Sequence, residues 1–227
     1  MRIFLIGNGP SLNDTPLDLL KDEETMAMNK IDLIYDKTEW RPTFYFRIDY
    51  NSLDKDWKES VLANLAVCRA GFLWDMFRDG YPKDHPNHND LPDGIGYQPN
   101  VTWLPRCEKH HYYSGGNSNG MTKWHFPDIC TGVGGMSAML QLAVRLGYEE
   151  IYLLGCDLGF TDDITKNHFD PSYQFFDPRD VSKAQNKNNE WLHKVAKECS
   201  PVPIYNASVG GNLDTYPRVD IHEVLNA

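Results

Sequence analysis

TGVGGMSAMLQLAVRLGYEEIYLLGCDLGF, residues 131–160, contains a complete helix-to-strand unit. Met136, Met139, Leu140, Ala143, Val144 and Leu146 recur at helical spacing, which predicts an amphipathic helix opened by the glycine-rich stretch from Thr131. Gly147 follows as its stop, and residues 151–154 are an unbroken apolar run of strand length. A strand without polar alternation is one covered on both faces, the situation of a parallel sheet. The run breaks at Gly155-Cys156-Asp157, so the chain leaves the sheet with a carboxylate at the strand's carboxyl end.

The same alternation continues toward both termini. Arg2–Ile6 is a short apolar run stopped by Gly7-Asn8-Gly9-Pro10, a strong turn signal. Leu17, Leu19 and Leu20 suggest a short helix, 25–29 a second strand, and 43–48 a third that ends at Asp49. Residues 54–66 have helical spacing through Trp57, Val61, Leu62 and Leu65. Val101–Leu104 reads as a strand, 184–198 as a helix with Trp191, Leu192 and Val195 inward, and Ile204-Tyr205 as a last strand. Strands joined by helical crossovers give an α/β fold, a parallel sheet with helices on both faces. Two stretches break the rhythm. Residues 78–128, rich in Gly, Pro, Asn and His, read as an irregular insertion, and 158–183 as a lid or binding loop. No linker separates these parts, so 1–227 reads as a single domain.

Charge and composition exclude several classes. A net charge of -10 disfavours binding to nucleic-acid backbones. No run of about 18 apolar residues is present, so no membrane span is expected. MRIFLIGNGPSL carries one basic residue and too short an apolar stretch for a signal peptide. The five cysteines are scattered and odd in number, which points to free thiols and a cytoplasmic setting. A homo-oligomer is compatible with everything in the sequence.

In an open parallel sheet the ligand sits at the carboxyl ends of the strands. Gly7-Asn8-Gly9-Pro10-Ser11 falls there: glycines admit close backbone approach, and Asn8 and Ser11 offer short hydrogen-bonding side chains. A tight strand-to-helix turn would use the same residues. Thr131, Gly132 and Gly134 stand at the start of the clearest helix, where unpaired amides attract a phosphate. Thr131 can equally act as a cap. Asp49 and Asp157 end strands, where a carboxylate can grip a ribose, orient a base or hold a divalent cation; either can instead cap an Asx-turn. His85, His88, His110, His111 and His125 gather near Cys107 in the insertion, but their spacing does not match a zinc site, and no metal is expected there.

GNGPSL at 7–12 and the 131–160 stretch, in this order, resemble two related groups. One is the bacterial sialyltransferases of glycosyltransferase family 42. The other is the DUF115 group, which includes enzymes like 6-hydroxymethylpterin diphosphokinase; LLGCDLGFTD at 153–162 and YNASVGG at 205–211 look closer to it. The resemblance implies a Rossmann-like nucleotide-binding fold with a lid. It implies a nucleotide-sugar donor, a CMP-sugar first, a glycan acceptor, and no required cofactor. It also implies that Asn8 and Asn29 contact the nucleotide, that Gly9, Pro10 and Ser11 complete their loop, and that Thr131-Gly132 matches the family's Ser/Thr-Gly pair. His168, the only histidine in 158–183, falls where the family places its base. The family's two phosphate-holding tyrosines are missing: Gly159 and Phe160 stand at the first site, and Tyr173 follows only after His168. A pyrophosphokinase would instead use ATP and Mg²⁺ with Asp49 and Asp157, and a non-catalytic nucleotide-binding protein would bind without turnover.

Overall fold

Seven short strands with apolar stretches line up side by side, all parallel, in the order β5-β4-β3-β2-β1-β6-β7. The computed structural model describes residues 1–48, 56–80, 83, 93–105, 129, 134–173 and 182–226. The strands are β1 (Arg2–Ile6), β2 (Thr25–Met28), β3 (Phe44–Arg47), β4 (Ala70–Trp74), β5 (Val101–Leu104), β6 (Glu150–Leu154) and β7 (Ile204–Asn206). The helices are α1 (Trp57–Val67), α2 (Met76–Asp79), α3 (Gly135–Arg145), α4 (Ser182–Cys199) and α5 (Ile221–Leu225), with 3-10 turns at Pro10–Asp14, Leu17–Leu20, Ile31–Ile34 and Ile164–Lys166. The expected α/β fold is present.

β2 and β3 are buried at every position, as strands covered on both faces must be. Register is pinned by an aromatic ladder: Phe4 pairs with Tyr152 and Tyr152 with Tyr205. Their rings stack with centroids 5.2 Å apart at each step. From β1 the chain steps through β2, β3, β4 and β5 in one direction, then returns to place β6 on the other side of β1. Right-handed crossovers put connections of opposite direction on opposite faces. Accordingly α1 packs with the 31–34 turn, while α3 packs with α4. The order reverses between β1 and β6, the topological position above whose strand ends open α/β sheets take their ligands.

Several local readings are corrected. β4 and α2 were not expected, and β4 joins β3 to β5 in the middle of that half of the sheet. Leu62 faces solvent; the inward stripe of α1 is Trp57, Ser60, Val61, Asn64 and Leu65. Two polar members of that stripe are held by bonds to the 31–34 turn. Ser60 Oγ and Asn64 Nδ2 both donate to Asp32, and the Tyr35 hydroxyl donates to Asn64 Oδ1 at 2.6 Å. Helix α3 begins at Gly135, and its N-cap is Gly134 at φ +91°, a backbone glycine adopts readily, so the helix does not use the cap the sequence offered at Thr131. The lid opens with a 3-10 turn, and α4 starts two residues earlier than expected. No helix among the described residues is long and apolar enough to cross a membrane. Cys68, Cys156 and Cys199 form no disulfide.

Candidate functional site

The loops leaving β1 and β6 touch along their backbones. Gly7 N–H donates to Leu154 O at 2.7 Å and Gly9 N–H to Gly155 O at 2.8 Å. A Cβ on Gly9 would lie inside van der Waals distance of the Asp157 carboxylate and of Gly155 O. Glycine is therefore required there for close approach. The contact brings Asp157 under the first loop, where its Oδ2 accepts the Ser11 amide at 2.8 Å. Asp157 is thus a latch between the two loops, and its Oδ1 is buried without a hydrogen-bond partner. Asn8 Oδ1 and Ser11 Oγ are likewise buried and unpartnered. Three buried oxygens on two touching loops therefore lack a hydrogen-bond partner within the protein.

The second strand end adds Asn29, at φ +55°, which asparagine tolerates better than most residues. Asn8 Nδ2 donates to Met28 O at 3.2 Å, tying the first loop to this corner. Asn29 O accepts from the Tyr45 hydroxyl at 2.9 Å, and the Asn29 backbone amide donates to Phe46 O at 3.2 Å. Pro10 opens the 3-10 turn that carries Ser11. Gly134 caps α3, and Gly135 packs directly on Met28, so the start of α3 lies beside the Asn29 corner. Asp49, Thr131 and Gly132 lie outside the described residues, as do His85, His88, Cys107, His110, His111 and His125.

Residues 160–173 pack against this corner. Phe169 N–H donates to Asn8 O at 3.0 Å, and Asn13 Nδ2 donates to Phe169 O at 2.7 Å. His168 stacks on Tyr173 with centroids 4.0 Å apart and planes 10° from parallel, and Phe160 meets it edge-on at 5.9 Å. His168 Nδ1 is buried without a partner. Burial, with the nearby Lys30 charge, pushes the imidazole down to about 4. A cavity of about 600 Å³, lined by Leu158, Phe160, Glu190, Lys194 and Asn212 among others, adjoins the lid. It excludes Asn8 and Ser11 and reaches His168 only through the shared Phe160.

Sequence reasoning did not single out Arg47 or the buried pair His193 and Tyr216. His193 Nδ1 lies 3.1 Å from the Tyr216 hydroxyl, which also donates to the His193 carbonyl. Burial pushes His193 down to about 4. The unfolded chain, with histidine near 6.5, takes up the proton first. His193 and His168 therefore contribute stability that is full above about pH 6.5 and lost as pH falls toward 4. For His193 the loss is on the order of 3 kcal/mol. Thermal unfolding followed from pH 7.5 to 4.5 should show a falling Tm. The fall should flatten in His193→Gln; an equally steep fall in that variant would remove His193 from the account.

A parallel sheet whose order reverses between β1 and β6 belongs to the α/β folds in which ligands, where bound, sit above the strand ends. No protein-family model matches the chain, and no curated protein does. Among solved structures, the chain is similar to the MAF glycosyltransferase of Magnetospirillum magneticum AMB-1. The identity is 14%, the TM-score 0.50, and the match covers 96% of this chain and 33% of that one. The chain thus spans about a third of that protein's length. It is also similar to an alpha-2,3-sialyltransferase from Campylobacter jejuni (20% identity, TM-score 0.49, 97% and 80% of the chains). A third is the sialyltransferase CST-II, solved with a trisaccharide acceptor and CMP (16%, 0.46, 96% and 86%). At these identities the likeness is one of fold, and the fold resembles that of glycosyltransferases.

Proposed function

We propose that this protein is a transferase that holds a nucleotide-activated sugar at the crevice between β1 and β6 and passes the sugar to a glycan hydroxyl. The observation that carries the reading is the set of orphaned acceptors, Asn8 Oδ1, Ser11 Oγ and Asp157 Oδ1, on loops latched together beneath a lid. Asn8, Ser11 and Asp157 bind the nucleoside, with Gly7, Gly9 and Pro10 shaping their loop and Asn29 closing the second strand end. The amide end of α3 at Gly134 faces the phosphate, and Thr131 and Gly132 are assigned to bind it as well. His168 takes the proton of the acceptor hydroxyl as its oxygen bonds the anomeric carbon. The bond from that carbon to the donor phosphate breaks, and the nucleotide leaves with the electron pair. Tyr173 and Phe169, both buried, hold the lid closed and exclude water. The acceptor approaches from the cavity side, where Phe160 forms both a cavity wall and the edge contact to His168.

Titration of the full chain with CMP, UDP, GDP and ATP tests the reading. One nucleotide, CMP by expectation, should bind at least 10-fold more tightly than the others, and chelation should leave both binding and donor turnover intact. Failure of all four to bind would sink the nucleotide pocket. Strict Mg²⁺ dependence with ATP as donor would replace sugar transfer by pyrophosphoryl transfer. Binding without turnover, unaffected by loss of His168, would leave a non-catalytic nucleotide-binding protein.

A further inference from the structure

Arg47 is the last residue of β3 and only 1% exposed. Neither its Nε nor its Nη1 has a hydrogen-bond partner, and no carboxylate among the described residues forms an ion pair with it. Its surroundings are the Phe77 ring, 5.8 Å from the guanidinium carbon, and the hydroxyls of Tyr45 and Tyr173, on which its charge acts. The Tyr45 hydroxyl donates to Asn29 O and can accept from Arg47, but it is neutral and does not balance the charge. A guanidinium cannot shed its charge, and a buried one without a counter-ion is among the costliest groups a fold can keep. An apolar side chain of similar length would serve packing better at the end of a strand whose other residues are Phe44, Tyr45 and Phe46.

The location offers a source for the charge that no described residue supplies. Arg47 stands at the carboxyl end of its strand, the edge of the sheet where the crevice lies. Phe46, the residue before Arg47, accepts the Asn29 backbone amide at 3.2 Å, so Arg47 sits beside the Asn29 corner, and Tyr173 stacks on His168. We propose that Arg47 anchors an oxyanion subsite beneath the lid, which takes a carboxylate or phosphate group of the substrate when the lid lifts. The planar guanidinium suits either group, because both offer oxygens at the spacing of its N–H donors. The subsite rests on reading the crevice as the donor pocket. It places the substrate's negative charge beside Tyr173 and near His168, and so commits this enzyme to an anionic substrate moiety beyond the nucleoside.

Thermal unfolding and calorimetry on the full chain test this with three probes: inorganic phosphate, N-acetylneuraminate as a sugar carboxylate, and cytidine as a neutral nucleoside. In wild type, phosphate or N-acetylneuraminate should raise Tm beyond chloride at matched ionic strength, and the stronger of the two identifies the group. Arg47→Met should weaken that anion at least 10-fold while leaving the unliganded Tm equal to or above wild type, because an uncompensated charge has gone. Arg47→Lys, which keeps charge but loses the planar fork, should also weaken it, and carries the test if the methionine variant does not fold. Equal anion affinity in wild type and a folded variant overturns the subsite, as does an absence of any anion-specific shift in wild type. Arg47-dependent anion binding without cytidine binding sinks the nucleoside reading and keeps the subsite. Cytidine binding with Arg47-independent anion binding does the reverse.

Discussion

Alanine at position 168 should lower kcat by about 10²- to 10⁴-fold, the usual contribution of a positioned base. Donor affinity should stay near wild type, since a group that acts on the acceptor contributes chiefly in the transition state. The lid supplies the reason for both halves of this expectation. His168 Nδ1 is buried and unpartnered, so no bond within the protein occupies it. Burial holds the imidazole neutral down to about pH 4, which keeps a lone pair available at every physiological pH but makes it a weak base. A donor phosphate arriving under the lid changes that balance, because an adjacent negative charge favours the imidazolium. The acid limb of kcat/KM, which reports the free enzyme, should therefore lie lower in pH than the acid limb of kcat, which reports the complex. His168→Gln retains a planar polar group against Tyr173 and separates loss of the base from loss of the stack. A near-normal rate in either variant, or coincident acid limbs, would return His168 to the role of lid packing.

How far the sequence anticipates this arrangement depends on how locally each feature is encoded. The central strands are legible because a sheet covered on both faces demands continuous apolar runs, as at 3–6, 26–28 and 151–154. β4 is not legible. Ala70-Gly71-Phe72-Leu73-Trp74 follows α1 after only Cys68 and Arg69, with no Pro, Asn or Asp to mark a break. What defines it is pairing with β3 and β5, which are distant in sequence. The loops after β1 and β6 are visible as glycine-rich turns, yet the bond from Ser11 to Asp157 spans 146 positions and leaves no local trace. Arg47 fails for a different reason. A charged residue ending an apolar strand reads as the point where the chain meets solvent, and only its burial in the fold, beside the Phe77 ring, removes the water. His168 is visible as a residue but not as a titrating group, since its acidity is set by the ring stacked against it and by Lys30.

Substitutions at Asp157 should separate its two oxygens. Asp157→Ala removes the acceptor of the Ser11 amide and leaves that N–H without its partner, at a cost of about 1–3 kcal/mol in stability. The loops after β1 and β6 then lose their latch, and nucleotide affinity should fall at least 10-fold with the geometry of Asn8 and Ser11. Asp157→Asn is the sharper test. Its amide oxygen can still accept from Ser11, so thermal stability should remain near wild type. Its nitrogen then takes the place of the buried, unpartnered Oδ1 and presents a donor where an acceptor stood. If Oδ1 accepts a hydroxyl or amine of the nucleoside, the exchange should weaken nucleotide binding by about 10- to 100-fold, the scale of a hydrogen bond to a charged group. Calorimetry and unfolding on the same samples read both quantities. Full affinity in the folded asparagine variant would make Asp157 a latch alone and move nucleoside recognition to Asn8 and Ser11.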